Sequence, residues 1–323
     1  MRFVIYGAGA IGGVIGGRLV EHGHDVALIA RGAHYEALRD RGLTVESPDG
    51  AVTLEVEVVD HPSRLRGTDD DVVMLAMKSQ DTAAALTALA ATKAPSTPIF
   101  CAQNGVENER AALRFFPNVY GVCVMCPAVH LEPGVVQAYS TPVPGILHLG
   151  RFPSDADDIA TQAAAALRDA NFASEPRTDI MRWKYTKLLM NLGNAAEAAF
   201  AVSDARNTVA TRAREEGASV LRVAGIDFAS NEEDAALRGD TLRIRPIGDA
   251  RRGGGSSWQS LERRTGAVES DYLNGEIVTV ARLNGIPAPV NEALAQLCTA
   301  MARDGAAPGS RSADEFLASL TNR

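Results

Sequence analysis

An apolar strand that runs straight into a glycine-rich turn, and from there into a helix, constrains this chain more than any other feature. Phe3-Val4-Ile5-Tyr6 leads into Gly7-Ala8-Gly9-Ala10-Ile11-Gly12, and Val14, Ile15, Leu19 and Val20 continue with helical spacing. The pattern is G-x-G-x-x-G in the strand–turn–helix setting that gives it chemical meaning. Gly7 allows the tight turn, Gly9 leaves the backbone open to a pyrophosphate, and Gly12 lets the helix pack close to the strand. The helix N-terminus then turns its free N–H groups to the anion. The expectation is a dinucleotide-binding unit in which Gly7, Gly9, Ala10, Ile11 and Gly12 meet the cofactor. The plainer alternative, a glycine-rich turn in some other α/β protein, lacks a reason for this order of elements.

The second strand bears on which dinucleotide. Asp25-Val26-Ala27-Leu28-Ile29-Ala30 ends without the acid that accepts from an NAD ribose 2′-hydroxyl, and Arg31-Gly32 follows. A missing carboxylate and a present guanidinium both suit the 2′-phosphate of NADP. NADP(H) is the expected cofactor, against the duller reading of Arg31 as a solvated surface residue.

At 323 residues the chain has room for two domains of ordinary size, and a hydrophobic content of 46% supports a core. A formal net charge of -8 argues against nucleic acid as a partner. No long apolar run suggests a membrane span. The N-terminus is already a core strand, which leaves no room for a signal peptide and suggests a cytoplasmic protein. Of the four cysteines, Cys123 and Cys126 form a C-x-x-C inside an apolar run that looks like a buried strand. No second pair or histidine pattern accompanies it, so no metal site is expected.

Strand candidates Phe3–Tyr6, Val26–Ala30, 54–58, 72–76, 98–101 and Val119–Met125 alternate with helical stretches such as 34–41 and 81–91. That alternation predicts a parallel sheet with helices on both faces. Later strands at 134–137 and 145–150 suggest an antiparallel edge, and the alanine-rich 155–170 a further helix. Past Asn171–Pro176 strands disappear from the pattern, and 179–200, 208–224, 257–264, 269–283 and 291–303 have helical periodicity. The fold expected is α/β: a Rossmann domain over 1–175 followed by an all-α domain over 176–323. The stretch Arg243–Ser257, with Arg243, Arg245, Arg251 and Arg252 around Gly253-Gly254-Gly255, reads as a loop that could close over an anionic substrate. Residues 313–320 suit a short terminal helix.

Three places carry candidate chemistry. Ligands of an open α/β sheet bind beyond the carboxyl ends of its strands. Lys78 follows one such end and Gln103-Asn104-Gly105 the next, where Asn104 offers a donor and an acceptor. The second place is Lys187-Leu188-Leu189-Met190-Asn191, in which Lys187 and Asn191 share a helical face amid apolar neighbours. A lysine so placed suits general acid or base catalysis, whereas a snorkelling surface lysine is the common case. The third place is Ser257-Trp258 and then Glu269-Ser270-Asp271-Tyr272-Leu273-Asn274-Gly275. Helix capping and dipole compensation are the simplest roles for Ser257 and Glu269.

Taken together, these residues resemble the ketopantoate reductases (2-dehydropantoate 2-reductases), which reduce a branched 2-keto acid with NADPH. The likeness spans nearly the whole chain. It rests on the glycine turn with Arg31, on Lys78, on Gln103-Asn104-Gly105, on Lys187 through Asn191, on Ser257 and on Glu269. It implies that Lys187 protonates the carbonyl oxygen, that Glu269 holds the substrate hydroxyl, and that Asn191 and Ser257 anchor substrate. Asn104 would lie between nicotinamide and substrate, and Lys78 near the cofactor. The chain departs from the family at Ala195, where a second asparagine is usual. Asn194 precedes it by one residue, about 100° around a helix. Tyr185 stands where tryptophan is common, and the Arg- and Gly-rich loop is long.

The reading is a soluble NADPH-dependent reductase converting 2-dehydropantoate to pantoate in pantothenate biosynthesis, its substrate lying between the two domains. The expected partner is a small 2-keto acid, with no nucleic acid, no membrane and a homodimer left open. One alternative is a reductase of the same fold with another keto acid, carbonyl or imine substrate. A non-catalytic NADP-binding regulator is the other, and the presence of both Lys187 and Glu269 argues against it.

Overall fold

The computed structural model describes residues 1–68, 70–248, 254–264 and 266–321. Among these, two compact units form. The first comprises Met1–Asn104, Asn108–Lys184 and residues 230–248. Its strands are β1 (Arg2–Tyr6), β2 (Val26–Ile29), β3 (Leu43–Ser47), β4 (Gly50–Leu54), β5 (Glu57–Val59), β6 (Asp71–Leu75), β7 (Ile99–Cys101) and β8 (Val119–Met125). They continue as β9 (Ala128–Val129), β10 (Val135–Ala138), β11 (Ser140–Pro142), β12 (Ile146–Arg151) and β13 (Leu242–Ile244).

The main sheet runs in the order β12-β8-β7-β6-β1-β2-β5. All of its strands are parallel except β12, which pairs antiparallel with β8. The expected doubly wound sheet with an antiparallel edge is therefore present. Its strands are apolar at successive positions because both faces are covered. Phe3, Ile5, Leu28, Met74, Phe100 and Tyr120 join one core, with the helices Ala10–Glu21 and Asp158–Asp169. Val4, Ile29, Val73, Leu75 and Ile99 join the other, with Leu86 and Leu89 of the helix Thr82–Ala90.

Glycines set the position of the first helix. An added Cβ on Gly12 would fall onto the Gly7 carbonyl oxygen and lie 2.9 Å from Ile5 and Ala76. One on Gly16 would lie 2.7 Å from Leu28, again on the main sheet. Gly13 and Gly17 look the other way, 2.6 Å from Val136 and 2.5 Å from Val45. Those two valines belong to a second sheet, β4-β3-β10-β9. The helix is thus pressed between two sheets, with glycine on both contact faces four residues apart. The stretch 54–58, read from sequence as one strand, is corrected: Leu54 ends β4 in the second sheet, and 57–59 is β5 in the first. The chain crosses between sheets there, so a single strand is impossible.

The segment expected to be wholly helical also differs. Ser230 and Glu233 form a capping box that starts the helix Asn231–Arg238. After it, β13 pairs antiparallel with β11, and Arg245 N–H donates to the Tyr139 carbonyl at 2.9 Å. Arg182 meets the Glu233 carboxylate at 2.7 Å. These bonds fasten 230–248 to the first unit, and the first unit also runs to Lys184 rather than to 175. Arg243 therefore lies in a strand, not a loop. Arg251, Arg252 and Gly253 of the expected flap lie outside the described residues.

The second unit contains Gly105–Glu107, Tyr185–Ala229 and the chain from 254 onward, and is helical. The periodic run 179–200 is two helices, Ile180–Asn191 and Gly193–Ala199, broken at Leu192. A break leaves carbonyls without helical partners. Asn274 supplies one donor, to Leu192 O at 3.1 Å, and another to Asn291 Oδ1 at 2.9 Å. Asn291 in turn bonds Ala213 O and Glu216, and Glu216 accepts from the N–H groups of Val290 and Asn291. Pro289 opens the helix Pro289–Arg303, at the first turn where its missing N–H costs nothing. The helix Ala313–Thr321 closes the unit. No described helix is long and apolar enough to cross a membrane.

The glycine contacts make a direct prediction. Gly12→Ala gains about 1 kcal/mol of helix propensity, yet overpacking costs about 1–3 kcal/mol, and here backbone is in the way. The urea midpoint of unfolding should fall. A midpoint at or above that of the parent would show that the helix can retreat from the sheet.

Candidate active site

In the first unit four strands end side by side. Ile29, Tyr6, Leu75 and Cys101 are register partners across β2, β1, β6 and β7. The segments that follow them therefore share one rim. Gly7 turns there with φ +99°, and a side chain on it would meet the Met77 backbone nitrogen at 2.6 Å. A Cβ on Gly9 would meet nothing within 4 Å, and no side chain caps the helix N-terminus at Ala10 and Ile11. An open backbone cradle before uncapped N–H groups fits a pyrophosphate.

His34, which the sequence reading passed over, shapes this turn. Its Nε2 lies 2.7 Å from the Ala8 carbonyl, and its Nδ1 accepts from Gly134 N–H at 2.9 Å. Burial, aided by the neighbouring His130, pushes its pKa down to about 4. The ring is neutral, with its proton on Nε2, because only that tautomer satisfies both partners. No motif marks such a residue; only the packing of 134 on 34 reveals it.

Arg31 sits at the N-cap position of the next helix, Gly32–Arg41, without capping it, its side chain 68% exposed and 3.3 Å from Asp81. Strand β1 lies between the two strands these residues follow, so the pair bridges the glycine turn's side of the rim. Ala30 is buried beside it and offers no carboxylate. Lys78 precedes the short 3-10 turn Ser79–Asp81.

Behind the rim lies a polar network. Gln103 Nε2 donates to Met77 O at 2.9 Å and to Thr82 Oγ1 at 2.8 Å. Thr82 donates to Asn108 Oδ1, and Asn108 Nδ2 reaches Ser79 Oγ and the Asn104 carbonyl, both at 3.2 Å. Lys184 is 3% exposed and Glu109 fully buried; the two form an ion pair, and Lys184 also donates to Cys101 O at 3.3 Å and Gln103 O at 3.1 Å. With its three donors used, Lys184 has no proton to offer a substrate. Lys187, one turn further on, is half-buried.

The second unit holds the other expected residues. Asn191 is buried near the end of the helix Ile180–Asn191, and Glu269 is buried at the start of the 3-10 turn Glu269–Tyr272. Ser257 is 1% exposed in the helix Ser256–Glu262, which packs on Gly193–Ala199. Both Asn191 Nδ2 and Ser257 Oγ are buried without a hydrogen-bond partner. Such groups are rare in native proteins and cost about 1–3 kcal/mol each unless something fills them. A capping role for Ser257 is excluded, since Gly255 occupies the cap position and no side chain caps the helix. Ala195 is buried, while Asn194 is half-buried beside Gly255, whose N–H donates to Glu197 at 3.0 Å.

Comparison with known proteins points one way. The family model described as ketopantoate reductase PanE/ApbA matches residues 3–154, and that for its C-terminal part matches residues 179–302. A 2-dehydropantoate 2-reductase of Pyrococcus horikoshii is 29% identical over 301 residues, 90% of this chain and 94% of the relative. One from Halobacterium salinarum is 28% identical over 94% of this chain and 100% of the relative. A solved PanE/ApbA family ketopantoate reductase from Ralstonia eutropha JMP134 has a TM-score of 0.79 at 27% identity, covering 94% of this chain and 99% of that one. D-mandelate dehydrogenase, solved with NADH and anilino(oxo)acetate, shares the fold with a TM-score of 0.78 at 22% identity over the same shares. The two matches together span most of the chain, and the chain belongs to the ketopantoate reductase family of oxidoreductases.

Proposed function

We propose that this protein reduces a 2-keto acid with NADPH, and that 2-dehydropantoate, giving pantoate on the route to pantothenate, is the substrate. The observation that carries this reading is the pair of orphaned buried atoms, Asn191 Nδ2 and Ser257 Oγ. An amide donor and a hydroxyl suit the carboxylate and hydroxyl of such an acid. When bound, the reduced nicotinamide supplies the hydride. The chain's own part is to bind, orient and protonate. The uncapped N–H groups of Ala10 and Ile11 hold the pyrophosphate, with Gly9 giving access. Arg31 takes the 2′-phosphate in place of Asp81, and Lys78 adds positive charge near the cofactor. Asn104 orders the reacting groups. Lys187 donates a proton to the carbonyl oxygen as negative charge develops there. Glu269 accepts from the substrate hydroxyl and balances the lysine.

Ala195 favours one narrower alternative, a 2-keto acid other than 2-dehydropantoate. Its buried methyl offers no hydrogen bond where the family carries an amide. Loss of NADPH absorbance with 2-dehydropantoate, beside a panel of other 2-keto acids, separates the two. Preference for another acid by kcat/KM would reassign the substrate, and no turnover with any of them would remove the reaction class.

Three variants test the residue roles. Arg31→Ala should weaken NADPH by about 1.5–3 kcal/mol, roughly tenfold to a hundredfold in Kd, and leave NADH nearly unchanged. Equal weakening of both would contradict the 2′-phosphate role. Lys187→Ala should lower kcat by roughly 10²–10⁴ while fluorescence titration shows an unaltered NADPH Kd; turnover within a few-fold of the parent would exclude Lys187 as the acid. Ser257→Ala removes an unsatisfied hydroxyl, so thermal stability should hold or rise while KM for the keto acid increases. Lower stability with unchanged KM would make Ser257 structural.

A further inference from the structure

Lys184 and Glu109 are an ion pair almost wholly out of water, with 3% and 0% of their side chains exposed. Burying two charges carries a desolvation cost that the attraction between them often fails to offset. Packing alone gives no reason to keep them, because well-packed apolar residues would hold a core at least as well. Their surroundings supply a reason. Lys184 Nζ gathers three acceptors: Glu109 Oε1, the carbonyl of Cys101 that ends β7, and the carbonyl of Gln103 two residues on. Room for this is provided by β8. Gly121 is the register partner of Cys101, and a Cβ there would lie 3.2 Å from Lys184 Cδ and 3.4 Å from Glu109 Oε1. From the other side, Gln103 and Asn108 tie the same loop to Met77, Thr82 and Ser79.

We infer that Lys184 and Glu109 are positioning residues, whose ion pair fixes the Gln103 carbonyl and so the direction in which the chain presents Asn104. Backbone carbonyls at a strand end are otherwise free to turn toward water. Clamped on both sides of residue 102, the peptide leading into Asn104 keeps one orientation. The inference rests on the role proposed above for Asn104.

The test separates positioning from stability. In Lys184→Met, the fully buried Glu109 loses its ion-pair partner, so the urea midpoint should fall. In Lys184→Met/Glu109→Gln both charges are gone and the midpoint should recover. Turnover should not recover. Expressed per mole of bound NADPH, so that unfolded protein does not count, kcat of the double variant should stay about tenfold to a hundredfold low, the usual penalty for misplacing a reacting group by about 1 Å. Adding Asn104→Ala to the double variant should then cost little more, although Asn104→Ala alone is severe. Parental kcat in the double variant would overturn the inference while leaving the proposed function intact. Fully additive losses would overturn it too, because the pair would then act by another route. Parental kcat in Asn104→Ala alone would remove the role of Asn104 and this inference with it.

Discussion

The close approach of one helix to two sheets is the constraint on which the rest of the first unit depends. Helix Ala10–Glu21 touches the main sheet through Gly12 and Gly16 and the second sheet through Gly13 and Gly17. Each of these positions lacks room for a methyl group. The helix gives up propensity at four sites, about 1 kcal/mol at each. In return, Ile5, Leu28, Val45 and Val136 close around it in a single core. The same approach brings the helix N-terminus up to the rim where β1 ends, with Gly9 left open. The packing and the open backbone before an uncapped helix N-terminus therefore follow from one run of glycines.

A second level of order lies just behind that rim. Gln103, Asn108, Thr82 and Ser79 link the segments after β6 and β7, and His34 links the glycine turn to the second sheet. These side chains hold backbone in place where loops would otherwise be free to move. The neutral His34 is suited to this work because it donates on one side and accepts on the other. The buried Lys184–Glu109 pair extends the pattern with charge. In the second unit the amides of Asn274 and Asn291 do the equivalent job at the Leu192 break. Asn191, unlike those amides, keeps a donor in hand.

Much of this was legible beforehand, and the reasons differ by residue. Strand β1, the turn and the helix could be read because a short continuous apolar run, a G-x-G-x-x-G run and a helical period follow one another without interruption. Strand β8 was read to the residue, since it is apolar on both faces. Lys187 and Asn191 share one helical face by their four-residue spacing, and the structure places both in the helix Ile180–Asn191. The capping box at Ser230 and Glu233 is legible by the same logic, as a serine followed three residues later by a glutamate. The helix break at Leu192 had no sequence signal, because apolar periodicity continues across it.

The sequence by itself determined what is local: the turn geometry that glycine alone permits, the missing acid at Ala30, the strand and helix periods, and the residue types available for catalysis. Only the tertiary structure decided which of two lysines three residues apart is locked into a buried ion pair. Lys184 and Lys187 look alike in the chain, but Glu109 and the carbonyls of Cys101 and Gln103, at and just past the end of β7, surround the first. It also decided that β13 joins β11, and that 54–58 divides between two sheets. In each case the deciding partner lies tens of residues away in sequence, and a local pattern holds no record of which distant group will be brought beside it.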